Sequence, residues 1–331
     1  MTNRLQVLDG WRGISILLVL AGHLFPLGPK LWQLNGSIAS SGMAIFFILS
    51  GFLITSILLK DQNILHFLIR RFLRIVPLAW LAILITLLVT AAPLNIYLPH
   101  FLFYANWPPM SLIKPTGHLW SLCVEVQFYV LIALLIATFK QRTFVILPLL
   151  CAAITAYRFF NHTEIAINTY YRLDEILAGC ILAIVYHRPA GRLTGFISRL
   201  NPIYLFPLLM ISAHPEGGLI NYARPYIALL MVGSSLFVSQ TYSNDNTWYQ
   251  QCLKSRFLFY IASISYAIYV IHGGLMDSWL GEGGKLEKYL KRPLLLFITF
   301  GLAHLSTFYY EKYWISLGKK ITKKTDKSSP V

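Results

Sequence analysis

Long apolar runs separated by short, basic segments make up nearly the whole chain. The first run, residues 8–27, reads LDGWRGISILLVLAGHLFPL and is typical of the others. The runs are continuous and lack two-residue alternation, which favours membrane-spanning helices over outer-membrane strands. We therefore predict an all-α, polytopic membrane helix bundle. About ten spans are expected, at 8–27, 38–59, 75–92, 118–139, 143–157, 173–187, 202–213, 223–240, 256–276 and 293–315.

Composition agrees with this class of protein. Of the 331 residues, 56% are hydrophobic and 12% charged, about half the charged fraction of a soluble domain. The formal net charge of +15 is explained by basic residues that collect in cytoplasmic loops, so no nucleic-acid partner is expected. The four cysteines show no CxxC spacing. We expect neither a disulfide nor a metal site.

The distribution of basic residues predicts the orientation. Loops on the side of the two termini carry 18 lysines and arginines, and the opposite loops carry 9. This bias places both termini in the cytoplasm. The expected location is the plasma (inner) membrane, as a multi-pass protein. The first span is interpreted as a retained signal anchor. One transmembrane domain is expected over 1–317, followed by a basic, disordered cytoplasmic tail over 318–331 that contacts anionic membrane lipids.

Two ionisable residues lie on the first span. Arg12 and His23 are 11 residues apart, which is three helical turns plus roughly 20°, so both lie on one face. Their separation along the axis is about 16 Å. Ionisable groups inside a membrane are candidates for function. The alternative, that His23 only bonds a neighbouring helix, is equally compatible with this helix taken alone.

A cluster of arginines ends the second loop. Arg70, Arg71 and Arg74 converge at i,i+3 and i,i+4 spacing on a predicted short cytoplasmic helix. Clustered guanidinium groups suit phosphate, although lipid headgroups are an alternative partner. Arg12 faces the same compartment, so a phosphorylated cytosolic ligand is plausible.

The fourth span contains a carboxylate. His118, Ser121, Glu125 and Phe128 fall on one helical face, and Glu125 lies about 10 Å inward from His118. His23 is expected at a comparable depth, so the two groups could form a proton-transfer pair. The alternative is a buried Glu–His hydrogen bond that only fixes helix packing.

Polar residues also share a face of the ninth span, where they could line a cavity or only bond one helix to another. The spacing of Ser265, Tyr269 and His272 places them together. Arg172, Asp174 and Glu175 near the start of span six, and Glu311 in span ten, receive no role. The possible cavity-lining set is His118, Ser121, Tyr129, Ser265, Tyr269 and His272.

At these motifs the chain resembles acyltransferase family 3, the integral membrane acyltransferases that O-acylate extracytoplasmic sugars. The resemblance spans nearly the whole sequence. It is carried by LDGWRGI with Arg12 and His23, FFILSGFLI (46–54), RRFLRIVP (70–77) and WSLCVEVQFY (120–129), and more weakly by RLDEILAGCILA (172–183), SYAIYVIHG (265–273) and FYYEKYW (308–314).

The resemblance implies transfer of an acyl group, acetyl by analogy, from cytosolic acyl-CoA to a sugar hydroxyl of an extracytoplasmic or lipid-linked glycan. Acyl-CoA is then a co-substrate, and no tightly bound cofactor is expected. His23 would be the general base or a transient acyl carrier, and Glu125 would assist it. The donor phosphates would be held by Arg12, Arg70, Arg71 and Arg74.

Two other function classes compete with this hypothesis. A transporter or flippase would use the same polar residues to line a path, and it predicts inverted repeats and broken helices. A non-catalytic membrane scaffold leaves the polar stripes unexplained. Hydrolysis of acetyl-CoA by the purified protein, with and without His23, would separate the enzyme from both.

Overall fold

The computed structural model describes residues 5–189, 191–241 and 247–328, which form helices and turns without any β-strand. This confirms the predicted all-α class. The α-helices in the described residues are α1 Gln6–Leu24, α2 Leu34–Lys60, α3 Ile64–Val89, α4 Tyr97–Phe101, α5 Trp120–Phe139, α6 Thr143–Phe160, α7 Thr169–His187, α8 Gly191–Arg199, α9 Pro202–Ser212, α10 Arg224–Thr241, α11 Trp248–Leu253, α12 Arg256–Met276, α13 Lys285–Leu305 and α14 Lys312–Ser328.

Six segments of the described chain are long and apolar enough to cross a membrane, or seven if the α8–α9 pair, bent by 87°, counts as one span. The predicted count of about ten is not confirmed. Helix α7 carries three charged residues near its start, and α9 has only 11 residues. The six segments are Gln6–Leu24, Lys30–Lys60, Ile64–Val89, Lys114–Phe160, Arg256–Met276 and Lys285–Lys323.

Two helix boundaries differ from the apolar pattern. Helix α1 ends at Leu24 rather than at residue 27, because a proline and a glycine with φ of 144° follow. Helix α3 is continuous from Asn63, whose side chain caps it by accepting from His66 N at 3.0 Å. The arginine cluster therefore lies on the first turns of a spanning helix, and the predicted separate short helix is wrong.

The chain divides into two compact units. Unit 1 comprises the described parts of Met1–Lys60 and Gln141–Ser263, and unit 2 those of Asp61–Lys140 and Ile264–Val331. In unit 1, α2 packs on both α1 and α7. A Cβ on Gly51 would overlap the Ile176 carbonyl, and one on Gly179 would overlap the Ile48 carbonyl. Glycine thus allows backbone contact between α2 and α7, as small residues do in membrane helix pairs.

In unit 2, α3 packs on α5 and on α14. Helix α13 continues through a π-helical turn, Ser306–Glu311, into α14. Helix α14 extends to Ser328, whereas the sequence predicted a disordered tail over 318–331. Its Thr322 hydroxyl accepts from Arg70 Nε at 3.0 Å, and this bond links α14 to α3. Residues 329–331 lie outside the described residues.

The predicted orientation gives a testable labelling pattern. Cysteines introduced at Lys140, Arg192 and Lys320 should react from the cytoplasmic side, and those at Lys114 and Glu282 from the opposite side, because basic loops are retained in the cytoplasm. Membrane-impermeant thiol labelling of whole cells and of inverted vesicles, in a background without native cysteines, measures this. Labelling of position 192 from outside the cell would overturn the orientation.

Candidate functional site

Helix α1 positions Arg12 and His23 in unit 1. Both side chains are half-buried, and His23 lies in the last turn of the helix. Asn35 of α2 closes this end, because its Nδ2 donates to the Gly22 carbonyl at 2.7 Å and to the Phe25 carbonyl at 2.6 Å. These bonds satisfy carbonyls that a helix end leaves open. The backbone around His23 is therefore held in place by a side chain from the next helix.

Unit 2 contains Glu125, which is buried at 6% exposure on α5. The hydroxyl of Tyr129, one turn along the same helix, donates to Glu125 Oε1. The Arg71 guanidinium lies 5.9 Å from the centroid of the Tyr129 ring and 6.0 Å from that of Phe67, within the range of a cation–π contact. Arg71 of α3 and the carboxylate of α5 thus belong to one site around the Tyr129 ring.

A second carboxylate joins this site from the far end of the sequence. Glu311, at the end of the π-helical turn, interacts electrostatically with Arg74. Its Oε1 accepts from Thr307 Oγ1 at 2.9 Å and from Ser306 Oγ at 3.3 Å. Sequence reasoning noted Glu311 without giving it a role. A carboxylate inside an apolar run was the available signal.

Tyr266 of α12 is another residue that sequence reasoning missed. Its hydroxyl donates to the Ile75 carbonyl of α3 at 2.5 Å. Tyr266 also interacts electrostatically with Glu125 and Glu311. It therefore links α12 to the arginine-bearing turns of α3, and no periodicity within either helix indicated this contact.

The three arginines of α3 have different surroundings. Arg74 and Arg70 are exposed, whereas Arg71 is half-buried beside Tyr129. Arg70 donates to Thr322 of α14. The helix therefore presents Arg74 to an external anion more openly than Arg71.

The structure brings together four of the six predicted cavity-lining residues. Ser121 Oγ lies 2.5 Å from the Tyr269 hydroxyl, which donates to the His118 carbonyl. The His118 and His272 rings are 4.7 Å apart. Gly273 leaves room for the His118 ring, which a Cβ at that position would overlap. These bonds join α12 to the start of α5, so the helix-to-helix alternative fits this cluster.

The remaining two residues of that set lie apart from this cluster. Tyr129 belongs to the Glu125 site, and Ser265 is buried on α12. None of the six lines the 590 Å³ pocket of unit 2. A cavity-lining role for them remains a prediction.

Unit 1 also contains a buried cluster of ions. Arg158 of α6 pairs with Asp174 of α7, and Glu175 Oε1 accepts from Arg172 Nη1 at 3.1 Å and from Arg224 Nε of α10 at 2.5 Å. All five side chains are at most 3% exposed. In the count of basic residues that predicts the orientation, these three arginines are among the 9 assigned to the loops opposite the termini. The structure instead places them inside the helix bundle, because carboxylates of α7 compensate them.

The predicted catalytic and donor residues are divided between the two units. Arg12 and His23 belong to unit 1, whereas Glu125 and the arginines of α3 belong to unit 2. The pairing of His23 with Glu125 therefore remains a prediction. Across residues 5–189, 191–241 and 247–328, no group of three or more His, Cys, Asp or Glu side chains could hold a metal ion.

Comparison with known proteins agrees with this set of motifs. A family model described as an acyltransferase domain matches residues 5–315. The peptidoglycan O-acetyltransferase OatA of Listeria monocytogenes is 27% identical over 309 residues, which cover 80% of this chain and 48% of the relative. The O-acetyltransferase OatA of Staphylococcus aureus is 26% identical over 310 residues, covering 80% and 49%. The chain thus spans about half the length of these relatives, and no solved structure matches it.

Proposed function

The chain belongs to acyltransferase family 3, whose domain model covers residues 5–315, and from this premise we propose that it is a membrane O-acetyltransferase. The proposed reaction moves an acetyl group from cytosolic acetyl-CoA to a sugar hydroxyl of a cell-envelope glycan. The observation that carries the proposal is the site of unit 2, where half-buried Arg71 interacts electrostatically with buried Glu125 and with exposed Arg74.

The arginines supply the donor site in this proposal. Guanidinium groups bind phosphate through paired, charge-assisted hydrogen bonds. Arg74 and Arg70 have exposed side chains on the first turns of α3, so both can reach the phosphates of coenzyme A from the aqueous phase. Arg12, at the start of α1, adds a further cation on the predicted cytoplasmic side. Arg71 is held by the Tyr129 ring and contributes more to the geometry of the site than to phosphate contact.

The proposed chemistry uses His23 as general base. The imidazole takes the proton of the acceptor hydroxyl while the sugar oxygen attacks the thioester carbonyl. The tetrahedral intermediate then collapses, the carbon–sulfur bond breaks, and the leaving sulfur takes the proton back from His23. Glu125 would accept from the other ring nitrogen and fix the tautomer. In a second version His23 carries the acetyl group between donor and acceptor.

The transporter alternative predicts discontinuous helices, and the bend between α8 and α9 is one such feature. Asn201 begins α9 by accepting from Ile203 N at 3.0 Å, and Pro202 occupies the first helical position. These are ordinary signals for the start of a helix. The bend therefore does not by itself favour transport. Acetyl transfer by purified protein distinguishes an enzyme from a transporter.

The donor arginines give the direct test of the proposal. Wild-type protein in membranes should transfer radiolabelled acetyl from acetyl-CoA to glycan. Arg74→Ala should raise the KM for acetyl-CoA by about 10–100-fold, because one charge-assisted hydrogen-bonding group is lost. Arg71→Ala should mainly lower kcat, because it leaves Tyr129 and Glu125 without their cation.

The matched control is Arg142→Ala, which removes an exposed arginine from the turn between α5 and α6 and should leave the KM unchanged. An unchanged KM in Arg74→Ala would assign this arginine to lipid headgroups. Absence of acetyl transfer by the wild-type protein, with any glycan fraction as acceptor, would refute the proposed function itself.

A further inference from the structure

A pocket of 590 Å³ lies within unit 2, between α3, α12 and α13. This volume is within the range of about 300–1,000 Å³ that small-molecule sites occupy. Its lining is largely apolar and includes Leu78, Leu81, Ile85 and Val270. The residues assigned above to donor binding and catalysis do not line it.

Several side chains that line the pocket are also exposed on the apolar outer surface of the helices. Leu81 is 41% exposed, Ile85 53% and Leu305 55%, and a spanning helix exposes such side chains to lipid. A ligand could therefore enter sideways from the bilayer. This geometry suits a hydrocarbon chain better than a water-soluble substrate.

The pocket also has polar groups in its lining. Asp277 lines it with a side chain that is 7% exposed, and its Oδ1 pairs with Lys114 Nζ at 2.8 Å. Its Oδ2 is buried and has no hydrogen-bond partner among the described residues. A buried carboxylate oxygen without a donor is costly, so this atom points to a ligand that supplies one. Thr90 and Ser278 also line the pocket.

We propose that this pocket binds the lipid-linked form of the acceptor, with its polyprenyl chain between α3, α12 and α13 and a sugar hydroxyl donating to Asp277 Oδ2. The inference rests on the proposed function and names its acceptor class. Lys114, whose side chain is 82% exposed, is placed to contact the phosphate between chain and sugar. On the predicted orientation Lys114 lies outside the cytoplasm, on the side of the membrane that carries extracytoplasmic glycan.

Gly274 controls the width of the pocket. It lines the wall on α12, and a Cβ there would lie 3.2 Å from Thr86 Oγ1 of α3. A leucine at this position would occupy the space assigned to the chain. Ala82, half-buried on the α3 wall, offers an independent position from which to fill the same space.

The test measures binding, without turnover, in lipid nanodiscs. The probe is a photoreactive short-chain polyprenyl phosphate that carries N-acetylglucosamine. Crosslinks should map to α3, α12 and α13, and Gly274→Leu and Ala82→Leu should each weaken binding by about tenfold or more, because bulk replaces chain contacts. The matched control is Gly301→Leu on α13, where a Cβ meets no atom within 4 Å and affinity should not change.

Asp277→Asn tests the proposed hydrogen bond to the sugar hydroxyl separately. It should weaken the sugar-bearing probe several-fold, because a charged acceptor becomes neutral, and leave the sugar-free polyprenyl phosphate unchanged. Wild-type affinity in both pocket-filling variants would overturn the inference. Equal displacement of the probe by phosphatidylglycerol would also overturn it, by making the pocket an ordinary phospholipid contact. Because no acetyl transfer is measured, failure of the proposed function would be visible only in the separate transfer assay.

Discussion

The His23→Ala variant is expected to lose acetyl transfer by at least 10²–10⁴-fold, the usual contribution of a general base. A sugar hydroxyl is a poor nucleophile near neutral pH and needs a base within hydrogen-bond reach. His23 is half-buried in the last turn of α1, where Asn35 fixes the surrounding backbone. The loss should be larger if His23 also carries the acetyl group. Radiolabelled acetyl transfer to glycan, at matched protein levels, measures it.

His304→Ala is the matched control, because His304 is an exposed histidine of α13 that contacts the Phe308 ring and has no place in the reaction. It should transfer acetyl at the wild-type rate. Donor binding should persist in His23→Ala, since the donor phosphates are held elsewhere. Near-wild-type transfer by His23→Ala would exclude the proposed mechanism.

The role of Glu125 can be separated from that of His23. Glu125→Gln should lose less acetyl transfer than Glu125→Ala, because the amide oxygen can still accept a hydrogen bond from an imidazole. It can also accept from the Tyr129 hydroxyl, which donates to the carboxylate in the structure. A larger loss of acetyl transfer in Glu125→Gln than in Glu125→Ala would show that Glu125 does not contribute to the reaction by accepting a hydrogen bond.

The second large effect is expected on stability, at the ion cluster of unit 1. Asp174→Asn should lower the free energy of unfolding by about 3–5 kcal/mol, because it leaves the guanidinium of Arg158 buried without its counter-charge. Arg158 is 1% exposed, and its Nη2 is committed to the Glu164 carbonyl at 2.8 Å. It therefore cannot reach water to recover the loss. Equilibrium unfolding of purified protein by SDS in mixed micelles is the measurement.

A double variant distinguishes pairing from packing. Arg158→Met with Asp174→Asn removes the ion and its partner together and should be more stable than Asp174→Asn alone. Glu287→Ala is the control, because the Lys291–Glu287 pair has a carboxylate that is 55% exposed and should not shift the unfolding midpoint. A wild-type midpoint in Asp174→Asn would mean that Arg158 is compensated by its carbonyl partners alone.

The sequence by itself determined the properties that depend on local pattern. Continuous apolar runs specify membrane helices because a bilayer leaves no other way to satisfy backbone polar groups. Helical periodicity put Arg12 and His23 on one helix, and the ordered motifs indicated the family. The contact between Tyr129 and Glu125, one turn apart on α5, also follows from the rule for i,i+4 pairs.

Only the tertiary structure decided which charges are buried and what compensates them. The sequence pattern predicts that Arg224 is a loop charge. In the structure α10 packs against α7, and this packing brings Arg224 to Glu175, 49 residues earlier in the chain. Glu311 lies far along the sequence from Arg74, and no spacing within either helix predicts their interaction. A buried ion is tolerated only when another helix supplies its partner. That information resides in helix packing and not in the periodicity of any single segment.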